Sequence, residues 1–181
     1  MIQNGFSITK TLGEKSILLL DRYFLSVPAL IALNKLNEEN GRPLQIVTKA
    51  KKSCVAYEQP GEYSGRGRPR EKGDSVKLKD YFQEKKESFK TTTVKIYGKE
   101  QEVSYYCINL LWGQKLYQEL RFVLVSYNGI NSILVSTNLN LNPETIIRLY
   151  SYRFKIECTF RELKQVIGAL VISFGANQCQ S

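Results

Sequence analysis

Near the end of the 181-residue sequence, Tyr150, Arg153, Glu157 and Lys164 follow one another at spacings of three, four and seven. On a helix, at about 100° per residue, these four fall within roughly 60° of each other. A carboxylate flanked by two cations and a hydroxyl along one helix edge could be a surface feature. Arg153 and Glu157 at i, i+4 would then form an exposed ion pair of ~0.3–0.5 kcal/mol. The same stripe could also be the polar wall of a site that handles anions, although spacing alone favours the surface pair. A second candidate, Asp21, ends the apolar run Ser16-Ile-Leu-Leu-Leu20. The chain contains no histidine, and its cysteines, Cys54, Cys107, Cys158 and Cys179, are too far apart for a Cys-x-x-Cys pair. Histidine-based catalysis and thiolate zinc sites are thereby excluded. Any acid–base or metal chemistry falls to carboxylates.

The elements that would carry these residues can be read from pattern. Ser16–Leu20 has the continuous apolar character of a buried strand with Asp21 at its C-terminal end. Ser26 is an N-cap with Pro28 in the first turn. The helix that follows puts Ala29, Leu30, Leu33 and Leu36 on one face and stops at Asn40-Gly41. Leu44–Thr48 is a second strand, so the segment reads as a βαβ unit. From Lys49 to Lys90 there are twelve Lys or Arg against seven Asp or Glu, a net +5 in a loop-rich, mobile segment. Thr91–Tyr97 and Glu102–Trp112 then flank a turn at Gly98-Lys99-Glu100. Glu119–Tyr127 and Ser132–Thr137 flank Asn128-Gly129, a hairpin turn whose residues tolerate positive φ. Asn142-Pro143-Glu144 opens a long helix reaching about Ile167. Its core stripe is Leu149, Ile156, Phe160, Leu163 and Ile167.

The formal net charge is +9 and the pI about 9.4. This favours a polyanionic partner, nucleic acid before an acidic membrane surface. No apolar run approaches the roughly 20 residues of a membrane span, and the first residues lack a signal-peptide core. The expectation is a cytoplasmic protein with no membrane partner.

The pattern Tyr150-x2-Arg153-x3-Glu157-x6-Lys164, set in RLYSYRFKIECTFRELKQVIGA, resembles the signature helix of the IS-four group of bacterial insertion-sequence transposases, in the DDE superfamily. ILLLDRYF resembles the strand that delivers that family's second aspartate. The resemblance runs from about Gly13 to Leu170. It implies an α/β fold: an RNase H-like catalytic core interrupted by a β-rich insertion. Asp21 and Glu157 would be catalytic and would ligate Mg²⁺ or Mn²⁺, whose preference for hard oxygen donors suits carboxylates. Tyr150, Arg153 and Lys164 would contact DNA phosphates, double-stranded transposon ends being the partner. The resemblance allows a homodimer for the intact enzyme.

On this reading residues 1–50 are a partial core (aspartate strand, helix, strand) and 51–138 the basic, β-rich insertion. Residues 139–170 hold the Glu-bearing helix, and 171–181 are a frayed tail. No counterpart of the first aspartate strand is found before Asp21, so the core is expected to be incomplete and the chain a truncated fragment, inactive alone. A non-catalytic DNA-binding module and a functionless gene remnant stay open as alternatives. Gly65-Arg-Gly-Arg-Pro-Arg70 resembles an AT-hook core, in which an extended segment enters a narrow minor groove. Arg66, Arg68 and Arg70 would then bind DNA; the plain alternative is a flexible basic loop. Trp112 could stack on a flipped base, although a packing role fits an inserted tryptophan better.

Overall fold

The apolar run before Asp21 forms strand β1 (Ser16–Leu19), preceded by helix α1 (Ile2–Leu12) and followed, past a 3₁₀ turn at Arg22–Phe24, by helix α2 (Val27–Glu39). The structure, a computed structural model, describes residues 2–41, 43–63, 65, 67–96 and 98–153. Strand β2 (Leu44–Lys49) lies parallel to β1, Ser16 opposite Leu44 and Leu19 opposite Val47, which completes the expected βαβ unit. Helix α2 begins where its cap predicts: the Ser26 hydroxyl accepts from the Ala29 amide at 3.4 Å. Its far end is tied to β2 by Asn37, whose buried amide donates to the Leu44 carbonyl and accepts from the Leu44 N–H. Helix α1 is an addition to the elements expected from pattern; it buries Ile2 and Phe6 with Leu33, Leu44 and Ile46.

The chain then builds β3 (Val55–Tyr57), β4 (Ser75–Lys77) and a short helix α3 (Tyr81–Glu84). Four long strands follow: β5 (Lys90–Ile96), β6 (Lys99–Trp112), β7 (Gln118–Tyr127) and β8 (Ile130–Ser136). The basic stretch from Lys49 to Lys90 is therefore more than loop. Ala56, Val76, Leu78 and Tyr81 are buried in the core, and β3 pairs with β6 through Tyr57 and Leu111. Asn128-Gly129 makes the predicted two-residue turn, with φ of 48° and 73° and Tyr127 opposite Ile130. Strand β6 starts at Lys99, three residues before the expected Glu102, so Lys99 and Glu100 are strand and not turn, and Ile96 pairs with Lys99.

The eight strands among the described residues join in one sheet of order β1-β2-β8-β7-β6-β3-β4, with β5 also paired to β6. The hairpin block is thus welded to the βαβ unit by antiparallel pairing of β8 with β2. Alternation along β7 feeds both faces. Leu120, Phe122 and Leu124 point into the cluster that holds Leu30 of α2, whereas Val123 and Val125 join the opposite cluster. On that second face lies α4, described over 143–153. Asn142 caps it as expected, its side-chain oxygen accepting from the Glu144 N–H at 2.8 Å. The architecture is mixed α/β and consistent with an RNase H-like core. Among the described residues no helix is long and apolar enough to cross a membrane.

Candidate functional site at the end of strand β1

Asp21 is held by both its backbone and its side chain. Leu20 N–H still donates to Val47 O, so the β1–β2 ladder runs up to the residue before it. The Thr48 hydroxyl donates to the Asp21 carbonyl at 2.9 Å and pins the chain to β2. Asp21 then turns out of the sheet as the N-cap of the 3₁₀ turn, Oδ1 accepting from the Arg22 N–H at 2.6 Å. The other oxygen, Oδ2, is left for a partner from elsewhere in the fold.

Helix α4 brings that partner. Its first turns bury Ile146 and Ile147 against the sheet. Leu149, assigned to the core stripe by the helical wheel, is only half-buried. The difference has a local cause. A stripe averaged over the whole predicted helix does not see that the sheet covers the Ile146, Ile147 and Ser151 side of its start. That orientation turns Tyr150 and Arg153 towards β1. The Arg153 guanidinium lies 3.3 Å from Asp21 Oδ2, with the arginine 20% and the aspartate 33% exposed.

Asp21, Tyr150 and Arg153 line one cleft of about 600 Å³ with Arg22, Tyr23 and Lys49. Its apolar floor comes from Val125, Leu134 and Ile147, and its rim includes Tyr127 and Ile130 of the β7–β8 hairpin. Burial, and then the nearby Arg22 and Lys52, lower the Lys49 pKa; Asp21 acts in the opposite direction. Arg22 lies against its neighbour, the guanidinium 5.1 Å from the Tyr23 ring and donating to the Tyr23 hydroxyl. Among the described residues three cations, Arg22, Lys49 and Arg153, therefore line the cleft with one carboxylate. Such a cleft attracts anions, and its half-buried lysine gains most from one.

Three of the expected site residues meet here. Glu157 and Lys164 lie outside the described residues, as does Arg66. Arg68 and Arg70 are exposed and line a different hollow with Tyr117. Arg22, Tyr23 and Lys49 are not singled out by the sequence pattern. Lys49 was within reach: in a parallel βαβ unit the C-terminal ends of both strands share one edge, where open α/β sheets bind ligands. Among the described residues no three His, Cys, Asp or Glu side chains come together. The Asp21 carboxylate nevertheless suits a hard divalent cation. It is an oxygen donor, part-exposed to a cleft, and its outward oxygen already receives a positive group.

Trp112 packs against the core cluster that includes Cys54, a packing role. Burial pushes the Cys54 thiol up to about 11. Cys54 and Cys107 are both free thiols; Cys158 and Cys179 lie outside the described residues.

No curated protein and no solved structure matches the chain. A family model described as "Transposase DDE domain" matches residues 7–173, nearly all of the sequence and both sides of the cleft. With the α/β core, the strand-end aspartate and the arginine that meets it from α4, this match shows that the chain belongs to the transposase DDE domain family.

Proposed function

We propose that the cleft is the phosphodiester site of an IS-four-type DDE transposase, with Asp21 and Glu157 as two of its metal-ligating carboxylates. Transposase function, a DNA substrate and the use of divalent metal ions come with the family. The observation that carries the finer reading is the pairing of Asp21 with Arg153, residues 132 positions apart in sequence, beside Tyr150. Two of the four signature positions, Tyr150 and Arg153, are thereby found next to the aspartate that the resemblance assigns.

The residues divide the work as follows. Asp21 and Glu157 would hold Mg²⁺ or Mn²⁺, which supplies activation of the attacking oxygen and stabilisation of the leaving one in an in-line displacement at phosphorus. Arg153 offers a planar fork of donors that a phosphate accepts as readily as a carboxylate does. That fork meets Asp21 in the structure, and a phosphate in the cleft would compete for it. Lys49 and Arg22 add charge on the same side, Tyr150 a hydroxyl, and Lys164 a further cation. Val125, Leu134 and Ile147 make the floor apolar, which strengthens each charged contact above it. Residues 1–50 and 139–170 are read as the two parts of the core and 51–138 as the insertion between them. Two carboxylates are assigned and a third is not, so the chain by itself is expected to bind metal and duplex DNA without cutting.

Manganese binding, followed by electron paramagnetic resonance and calorimetry, tests this directly. Weak binding by the chain that disappears in Asp21→Asn and in Glu157→Gln is expected. Binding untouched by both substitutions would remove the metal assignment and leave a DNA-binding module. Cutting of labelled end DNA, absent from an Asp21→Ala, Glu157→Ala control, would overturn the expected inactivity.

A further inference from the structure

The basic hook-like segment lies outside the cleft, and its surroundings show how it is held. It belongs to the long connection between β3 and β4, whose base is closed by Glu58 N–H donating to Asp74 O and Gly73 N–H donating to Glu58 O. Gly73 is needed there, because a Cβ at that position would lie 2.5 Å from the Gln59 carbonyl oxygen. Just inside the base, the Lys72 ammonium sits 3.7 Å from the centre of the Tyr57 ring and 5.1 Å from that of Tyr117. The two rings meet edge to face, 5.5 Å apart. Tyr117 reaches this position from the β6–β7 turn with a φ of 42°, and Lys115 in the same turn has a φ of 67°. Left-handed backbone is uncommon for such residues and persists where the surroundings over-determine it. Here it aims the Tyr117 ring at the loop.

Among the described residues of the loop, two glycines take left-handed backbone. Gly65 and Gly67 have φ of 80° and 79°, and the Tyr63 hydroxyl donates to the Gly67 carbonyl at 2.6 Å. Arg68 pairs with Glu71 while remaining 83% exposed, and Arg70 is exposed beside it. Residues 68–73 and Tyr117 enclose an open hollow of about 460 Å³. An AT-hook needs an extended chain to lie along the minor groove; two left-handed glycines and a hydroxyl clasp give a bent one. What the loop presents is a pair of arginines at a fixed place, a geometry suited to phosphates rather than to base edges.

We propose that the β3–β4 loop is a second DNA-contacting arm, in which Arg68 and Arg70 grip the sugar–phosphate backbone of a duplex without reading its sequence, while Tyr57, Lys72 and Tyr117 form the clasp that sets the arm's position. The inference rests on the reading of DNA as the substrate and adds a contact away from the Asp21 cleft. Charge and clasp make separable contributions. Removing one arginine–phosphate interaction should lower the steepness of log affinity against log salt by about 0.9, whereas loss of pre-organisation weakens binding at every salt concentration equally.

The experiment is fluorescence anisotropy with a labelled duplex of mixed sequence, in EDTA, from about 50 to 200 mM salt. The charge variant Arg68→Gln, Arg70→Gln should bind more weakly and with a slope shallower by roughly 2. Tyr117→Gly, which suits the positive φ and deletes the ring, should lose roughly three- to tenfold in affinity with the slope unchanged. Tyr57→Leu serves as a second clasp variant should Tyr117→Gly fail to fold by circular dichroism. A charge variant that keeps the parent slope and affinity overturns the arm, and clasp variants that bind like the parent overturn the clasp. A preference above about tenfold for an A·T-rich over a G·C-rich duplex would make the loop a minor-groove hook instead. Failure of the parent chain to bind any duplex would strike the substrate reading itself, a result distinct from a parent that binds and arm variants that bind equally well.

Discussion

The βαβ unit and the hairpin block place their polar groups in different ways. In the βαβ unit two short parallel strands are joined through a helix, so their C-terminal ends open on the same edge and leave Asp21 and Lys49 side by side. In the hairpin block β6, β7 and β8 follow one another through tight turns, every residue of β7 is paired, and its Gln118 and Arg121 side chains are hydrogen-bonded to neighbours. Arg121 shows this. Its guanidinium donates to Asn109 Oδ1 and to the Leu141 carbonyl, which fixes the entry of α4. The βαβ unit thus supplies the edge that carries Asp21 and Lys49, while the hairpin block supplies the rigid surface that brings α4 to it. A site needing charged groups held within about half an ångström benefits from that division.

If the two regions form one cooperative sheet, damage to either must unfold both. Phe122 is fully buried at the centre of the hairpin block, and Leu33 is 1% exposed under α2. Phe122→Ala should cost about 3–5 kcal/mol and Leu33→Ala about 2–5 kcal/mol. In each variant denaturant melts followed by tryptophan fluorescence and by far-ultraviolet circular dichroism should coincide. Separate transitions would show that the hairpin block is a unit of its own.

Cys54, on the link between the two regions, makes the comparison pH-dependent. Its thiol ionises near 9 when exposed and near 11 in the fold. A raised folded pKa means that the stabilisation is complete below pH 9 and is lost as pH rises to 11, because only the unfolded chain gains the thiolate. The loss should reach roughly 2 kcal/mol by the upper end of that window. Cys54→Ala should show a correspondingly flatter stability profile in urea titrations from about pH 8 upwards.

Turn chemistry is a smaller lever. Gly129 sits at φ 73° with open space where a methyl would go, so Gly129→Ala meets backbone strain alone. A loss of about 1 kcal/mol is expected, read as a shift in denaturation midpoint at constant slope. Smallest of all should be the Arg153–Asp21 pair. Both partners are partly exposed, so Arg153→Met should change stability by under ~1 kcal/mol. The same substitution should weaken duplex binding and strengthen manganese binding, since it relieves Asp21 of a competing cation. A large stability loss with no change in either affinity would make Arg153 a structural residue.

Local rules made much of this molecule readable. The Ser26 and Asn142 caps, the Asn128-Gly129 turn and the strands around it depend on neighbours a few residues away, and they appear where pattern put them. The signature along α4 pointed to Tyr150 and Arg153 through its resemblance to the transposase helix. Other features were hidden for a physical reason. Helix α1 mixes Thr, Ser, Gly and Asn with few apolar residues, and packing on α2 and β2 holds it. β3 and β4 are three residues each and gain their order from β6 and the core beneath them.

By itself, the sequence determined which groups could do chemistry: no histidine, isolated cysteines, an aspartate closing an apolar strand and a spaced Tyr-Arg-Glu-Lys set. Only the tertiary structure decided that Arg153 meets Asp21, that Lys49 shares their cleft, and that the glycine-arginine loop is bent and clasped by tyrosines. Spacing along one helix fixes angles about one axis. Which side of that axis meets the sheet depends on strands from β2 to β8, and burial of Ile146 and Ile147 against them settles it.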